Sequence, residues 1–355
     1  MSGRFPPPDV VIAGGGLAGA ATAFFLGRER GVRVMLLEME PRAAQHSSGR
    51  SAGLVRRASG DRRLDPLCDE GAAFVAAPPA DFPADPRFRR TGSFLLVPEA
   101  NASEWARAGV RRVEHDELAS AVPPFRPGPG SAVLHTRNDG VVDAAALVEG
   151  FLAGARAHGV EVRMAARAAA ILTEGSRIVG VRCGSERIDC ALVVDAAGAW
   201  AGELAGSAGA DAPALRPTRR HLAVTAPEAR VDPRWPWVWD TARAFYFRPE
   251  AGGLLLCACD EQPDRPGDCA ADPGAAREIT AGLARCLPAF AGAQLVRLWA
   301  GHRTRQPDGR FLLGADPRVG GLIWAAGLGG HGVTTAAAVG RRVAEATLAA
   351  LRAAR

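Results

Sequence analysis

Near the start of the chain a short unbroken apolar run, Val10, Val11, Ile12 and Ala13, meets the glycines Gly14, Gly15 and Gly16 and passes into helix-forming residues over 20–28. Apolar runs of that length, closed by glycine, are buried strands. The segment 31–38 repeats the strand signature and ends on the acid Glu38. Strand, helix and strand in this order predict a parallel βαβ unit. A similar passage follows further on: a helix over 144–158, a strand over 160–163, alternating strands through Ile171, 178–181 and Ile188, then a buried strand within 191–200 that stops at a glycine turn. The last part reads as a strand over 321–326, a glycine loop over 327–332 and a helix over 335–351. Between these passages the pattern changes. Residues 61–135 mix proline-rich turns with short strand-like runs such as 92–97, and 222–256 alternates in the antiparallel manner through Trp235, Trp237 and Trp239.

Because the two kinds of pattern interleave, the predicted fold is a discontinuous α/β Rossmann-like domain, with an α+β substrate domain built on an antiparallel sheet set into it. The first takes 1–75, 140–215 and 300–355, and the second 76–139 and 216–299. A chain of 355 residues fits two closely joined domains. No repeat and no free linker is visible.

Gly14, Gly16 and Gly19 have the G-x-G-x-x-G spacing. In a βαβ unit Gly14 serves the tight turn, Gly16 the approach of backbone to a pyrophosphate, and Gly19 the close packing of helix on strand. The helix start offers free N–H groups and a positive dipole end to phosphates. Glu38 is placed to accept hydrogen bonds from a ribose diol, which favours FAD or NAD over NADP.

Composition narrows the picture further. The net charge is a modest +5, and every basic residue apart from histidine is arginine, with no lysine and a single tyrosine, Tyr246. No basic run is interleaved with aromatics, so nucleic acid is not an expected partner. The 7 cysteines lack metal-ligand spacing, no metal is expected, and reduced thiols are the natural reading. Cys257 and Cys259 share a face if their segment is a strand, and are read as structural. No segment is long and apolar enough to span a bilayer, so a cytoplasmic protein is expected.

Five segments then carry a resemblance: GGGLAG with Glu38; HSSGRSAG at 46–53; DGVVD at 139–143; LVVDAAGAWA at 192–201; and WAGHRTRQPDG followed by WAAGLGGHGVTTA at 324–336. In that order and spacing they resemble the D-amino-acid oxidase-like (DAO) superfamily of FAD-dependent amine and amino-acid oxidoreductases along nearly the whole chain. HSSGRSAG and WAG-x-R are most similar to its D-arginine dehydrogenase and glycine or sarcosine oxidase branch. The resemblance implies a GR2-type FAD-binding domain and noncovalent FAD, since the cysteine that some relatives attach to flavin is missing from GHRTRQPDG. It places Leu17, Ala18 and Met39 at the cofactor together with Gly14, Gly16, Gly19 and Glu38. His46, Ser47, Ser48, Gly49, Ser51, Ala52 and Gly53 would wrap the pyrophosphate and flavin, with Arg50 as a fixed positive charge beside them. Ala197, Gly198 and Trp200 would approach from the other half of the domain. Gly329, Gly330, His331, Gly332, Val333 and Thr334 would present a helix start to the flavin's pyrimidine end.

The implied reaction is oxidation of a C–N bond by hydride transfer to flavin N5, giving an imine that hydrolyses to an oxo acid and an amine or ammonia. A substrate carboxylate suits a planar guanidinium, and Arg303 of WAG-x-R is the first candidate. Tyr246 is the second, and one of Arg219 and Arg220 the third, alternation sending these two to opposite faces. Arg56 falls where sarcosine oxidase-like proteins carry an active-site arginine. Arg305 and Arg310 are expected to point elsewhere, and His331 reads as a flavin-loop residue rather than a general base. Two departures weaken the sarcosine oxidase reading. The loop lysine that binds substrate carboxylate is replaced in GHGVT, and a chain without lysine lacks the lysine those oxidases use to activate oxygen. A dehydrogenase passing electrons to a quinone is therefore favoured over use of oxygen. Alternatives are a 2-hydroxy-acid dehydrogenase and a flavoprotein subunit of a larger complex.

Overall fold

In the computed structural model, residues 6–210 and 215–354 are described. The outer ends of the expected domain segments, at 1–5, 211–214 and 355, lie outside them. Two large sheets organise the chain, and each of them lies where the interleaved pattern puts it.

The first sheet runs, from edge to edge, through Leu312–Ala315, Leu322–Ala326, Leu192–Asp195, Val10–Ala13, Val34–Leu37 and Glu161–Arg163. All neighbours are parallel except the first pair, which is antiparallel. Parallel strands are covered on both faces, which is why Val10–Ala13 is apolar at every position. Val10 and Ile12 point into a core with Phe24, Leu147, Phe151, Val339 and Val343, from the helices Leu17–Gly27, Ala144–Ala157 and Gly332–Ala354. Val11 and Ala13 point the other way, onto Ile171, Ile178, Val181 and Leu204. These belong to the three-stranded antiparallel sheet Ala168–Glu174, Arg177–Cys183 and Glu186–Asp189 and to the short helix Ala201–Gly206. The acids of DGVVD turn out to be structural. Asp143 caps the helix Ala144–Ala157 by accepting from the Ala146 N–H at 3.0 Å, and buried Asp139 accepts from the Ser93 hydroxyl and the Arg57 N–H.

The second sheet has nine strands. Its main path is Gln262–Pro263, Arg216–Thr225, Gly253–Cys257, Phe245–Glu250, Trp237–Asp240, Ser93–Pro98, Ser131–Thr136 and Arg111–Val113, with Leu295–Arg305 paired to Arg216–Thr225. Neighbours are antiparallel as expected, save that Trp237–Asp240 and Ser93–Pro98 run parallel. One face buries Phe245, Phe247, Leu254 and Leu256 against Ile279 and Leu283 of the helix Ala275–Cys286. By strand alternation the other face carries Tyr246, Leu255, Cys257 and Leu222, directed towards the first layer.

Several boundaries move. The strand Leu295–Arg305 runs unbroken through position 300, so the expected domain boundary there falls inside a strand of the second sheet. Its apolar and small residues, Trp299 to Gly301, read as a domain junction in sequence, yet they pair in register with Arg220 to Leu222. The first helix starts at Leu17, ahead of residue 20, and the last extends over Gly332–Ala354, beyond 335–351 at both ends. The strand of Cys257 ends on that residue, and Cys259 has a positive φ of 53°, so the two thiols do not share a strand. All 7 cysteines are free. Among the described residues, no helix is long and apolar enough to cross a membrane.

Candidate functional site

A cavity of about 740 Å³ lies between the two layers. Ligand sites span ~300–1,000 Å³, so this one can hold a large cofactor or a cofactor with a small molecule. Its walls can be built from the chain in three parts.

The first part is the end of the strand Val10–Ala13 and the helix start after it. Gly14 has a φ of 106°, and a Cβ there would lie 2.5 Å from the Ala196 carbonyl oxygen. A Cβ on Gly19 would stand 1.9 Å from the Gly14 oxygen, so two glycines make one tight turn possible. Gly14, Gly16, Leu17 and Ala18 line the cavity; Gly19 does not, and acts by packing alone. Glu38 also lines it, together with Met39. The Glu38 carboxylate accepts from the Gly15 N–H at 2.7 Å and the Glu40 N–H at 2.9 Å. One lone pair of each oxygen is thereby committed to the backbone, which orients the carboxylate at the wall. Ala197, Gly198 and Trp200 complete this end.

The second part is the segment 46–53, in which His46, Ser47, Ser48, Arg50, Ser51, Ala52 and Gly53 all reach the cavity. Gly49 does not: a Cβ on it would collide with the Ala44 carbonyl oxygen at 1.9 Å, so it serves the turn. Ser48 accepts from the Leu17 N–H at 3.0 Å and caps part of the helix start. Arg50 is held in place by protein partners. Its guanidinium donates to the carbonyls of Gln45, Cys269 and Ala300 and pairs with Asp268 at 2.6 Å. The positive charge is thus matched within the protein, because Arg50 is the pin that ties this loop to the second layer.

The third part gathers the arginines. Alternation along Arg216–Thr225 turns Arg220 and Leu222 to the cavity. Arg219 and His221 face away, Arg219 pairing with Asp264 at 3.1 Å and His221 bonding to Asp260 at 2.7 Å. Of the two neighbouring arginines, Arg220 is the one that lines the cavity. On the paired strand Arg303 and Arg305 line the cavity, and His302 also reaches its wall while its Nε2 bonds Asp264 at 3.0 Å. The expectation that Arg305 points elsewhere is therefore wrong: residues two apart on a strand share a face. Arg310 lies beyond the strand, beside Asp308, and does not line the cavity.

Charge is unevenly matched here. Glu261 pairs with Arg220 at 2.6 Å and with Arg305. Arg303 has no carboxylate hydrogen-bond partner among the described residues, and its side chain runs against Gly330, where a Cβ would lie 2.7 Å from Nε. Burial, and then neighbouring Arg220, push the Arg303 pKa down. Arg56 stacks over Trp239 at 4.7 Å and donates to His331 Nε2 at 2.6 Å. Burial lowers its pKa to about 10, with Arg303 adding to the effect. Burial and the cations Arg56 and Arg303 hold His331 well below its usual pKa, so the ring is neutral. Since Nε2 accepts from Arg56, Nδ1 carries the proton, and that buried N–H has no partner. It is a donor left for a bound molecule.

Tyr246 sits among these arginines and opposite Trp239 and Cys257 in register. Burial, followed by Cys257, raises its pKa well above the usual 10, so the hydroxyl keeps its proton and can donate. Burial opposes ionisation of Cys257, but hydrogen bonding from Cys259 and the charges of Arg220 and Arg303 outweigh it and bring the thiol to about 6. The sequence reading missed Trp239, Glu261, Cys259 and Arg305 at this wall. For Arg305 the signal was available in the alternation; Glu261 lies in a loop with no local pattern to mark it. Among the described residues, only Asp264, Cys269 and His302 group their ligand atoms closely enough for a metal, and Asp264 already bonds Arg219.

Gly14, the helix start, Glu38 and the orphaned His331 donor together fit a dinucleotide cofactor running from the first layer towards the arginines. Comparison with known proteins agrees. The family described as "DAO: FAD dependent oxidoreductase" matches residues 9–346. The chain is 27% identical to a hydrogen cyanide synthase subunit HcnC of Pseudomonas aeruginosa, over 96% of this chain and 93% of that protein. It is 26% identical to a 4-methylaminobutanoate oxidase (formaldehyde-forming) of Paenarthrobacter nicotinovorans, over 94% of this chain and 43% of that enzyme. An L-proline dehydrogenase structure from P. horikoshii superposes with a TM-score of 0.86 at 22% identity, over 96% of this chain and 93% of the other.

Proposed function

The chain belongs to the DAO family of FAD-dependent oxidoreductases, and on that premise we propose that it oxidises the C–N bond of an amino acid or secondary amine. The product is an imine that hydrolyses to an oxo acid and an amine or ammonia. FAD, when bound, supplies the two-electron acceptor for the hydrogen that leaves the carbon beside nitrogen. The remaining work falls to the chain's own residues.

The observation that carries this reading is Arg303, a cation drawn into the cavity wall with no carboxylate bonded to it and with the protonated Tyr246 hydroxyl among its neighbours. A planar guanidinium and a hydroxyl donor suit the carboxylate of an amino acid, and fixing that group orients the neighbouring carbon. Burial of the wall strengthens the attraction by excluding water. His331, neutral and with Nε2 occupied, is a donor rather than a base. The amine must therefore arrive without its extra proton, or lose it to solvent. The pairing of His46 Nε2 with Glu40 and of His302 Nε2 with Asp264 supports noncovalent FAD. With no lysine in the chain, an acceptor other than oxygen, such as a quinone, is favoured.

The test is anaerobic reduction of the bound flavin by a panel of D- and L-amino acids and N-methyl amines, followed by reoxidation with air or a quinone. Bleaching by none of them sinks the amine reading, and fast reoxidation in air sinks the preferred acceptor. Changing Arg303 to Ala is expected to weaken substrate binding roughly tenfold or more, the usual worth of a charge-assisted pair. Unchanged affinity would remove this assignment. One finding supports a second reading, in which the chain works as one subunit of an assembly: the HcnC relative is named as a subunit. Co-purification of a partner with inactivity of the isolated chain would favour it. The same Arg303 clamp would also serve oxidation of a 2-hydroxy acid, and a hydroxy acid in the reduction panel separates that case.

A further inference from the structure

Building on the amine-oxidation reading, we propose that the substrate is a dicarboxylic amine, with one acid group held by Arg303 and Tyr246 and the second held by Arg56.

Arg56, Arg220, Arg303 and Arg305 all reach this wall of the cavity. Glu261 answers for one positive charge while bonded to both Arg220 and Arg305. Asp61 also lines the cavity, but Arg63 holds it through two nitrogens. Of the four, Arg56 and Arg303 make no hydrogen bond to a carboxylate among the described residues. A single carboxylate would leave one guanidinium bare in a buried wall, which is costly, whereas two carboxylates match both.

Position separates the two. Arg56 belongs to the first layer, just past the strand Leu54–Val55, with its N–H bonded to the Thr334 hydroxyl at 2.9 Å. Its guanidinium is braced by the Trp239 indole and by His331, both uncharged. Asp139, whose charge acts on Arg56 through space, is bonded to Ser93 and the Arg57 N–H and makes no hydrogen bond to Arg56. Arg303 comes from the second layer and meets the loop 329–332 at Gly330, while Arg56 meets it at His331. The two forks thus have separate supports on different elements. Stacking on Trp239 holds the Arg56 fork in place before any ligand arrives, so little side-chain freedom is lost on binding. Discrimination follows from the same geometry: a substrate lacking the second acid leaves a buried cation unpaired.

The holoprotein should be titrated with succinate and glutarate and with butanoate and pentanoate, the monocarboxylates of matching length. Binding is read by calorimetry and by perturbation of the flavin absorbance. The dicarboxylates are expected to bind roughly tenfold or more tightly than their matched partners, with the advantage shrinking as salt rises. In Arg56→Gln the advantage of the dicarboxylates disappears, while Arg303→Gln weakens both series. Equal binding of matched pairs by the unmodified protein, or an advantage that survives in Arg56→Gln, overturns the proposal and leaves the amine reading intact. Absence of any carboxylate binding overturns both. If Arg56→Gln loses its flavin, the comparison in the unmodified protein decides alone.

Discussion

Asp195 closes the strand Leu192–Asp195 with one carboxylate oxygen accepting from the Ala197 N–H at 3.1 Å and the other buried without a partner. Burial raises its pKa to about 7. The unfolded chain loses this proton near pH 4, so between about 4 and 7 unfolding releases a proton, and rising pH favours the unfolded state. Asp195→Asn keeps an acceptor for Ala197 and removes the titration. Its stability relative to the parent is expected to improve from pH 4 to 7 by up to about 1.4 kcal/mol per pH unit, measured by denaturant unfolding with FAD saturating. A difference independent of pH would show that Asp195 ionises normally. Glu38 offers a second test at this scale. Because its carboxylate orders the backbone at Gly15 and Glu40, Glu38→Ala is expected to raise the FAD dissociation constant roughly tenfold, read from flavin release on dialysis.

The elements around the cavity depend on close approach and on alternation. Gly19 touches the Gly14 carbonyl where a methyl would sit at 1.9 Å, so Gly19→Ala must push the helix Leu17–Gly27 off its strand. A loss of roughly 2 kcal/mol or more is expected, with the holoprotein's thermal midpoint lowered and FAD bound weakly. An unchanged midpoint would mean that the turn has room to shift. Alternation accounts for most of what was legible at the substrate wall. It separates Arg219 from Arg220, puts Tyr246 opposite Phe245 and Phe247, and joins Arg303 to Arg305. Applied consistently, it would have corrected the reading of Arg305. Arg50 was not legible in the same way. Its partners Asp268 and the carbonyls of Cys269 and Ala300 are more than two hundred residues away in sequence, and no local pattern announces them.

At the scale of the whole molecule, the cavity exists because the carboxyl ends of the first sheet's strands are held against one face of the second sheet. Buried Arg248 in the second sheet donates to the Ala52 carbonyl in the cofactor loop at 2.7 Å, and Trp299 Nε1 donates to the Arg50 carbonyl at 3.1 Å. Arg248→Met keeps bulk and removes the donor. It is expected to raise the FAD dissociation constant several-fold while helical and sheet content stay unchanged by circular dichroism, since one buried acceptor loses its partner. The sequence alone determined the βαβ unit, the interleaving of two patterns, the family and its cofactor, because these rest on glycines, periodicities and motifs written in short stretches of chain. Only the tertiary structure decided that the strand Leu295–Arg305 belongs wholly to the second sheet, that Glu261 is shared by two arginines, and that Arg56 and Arg303 are left without a carboxylate partner. Local pattern states which face a residue takes on its own element. Whether its charge is answered there depends on what other, distant elements bring to the same wall.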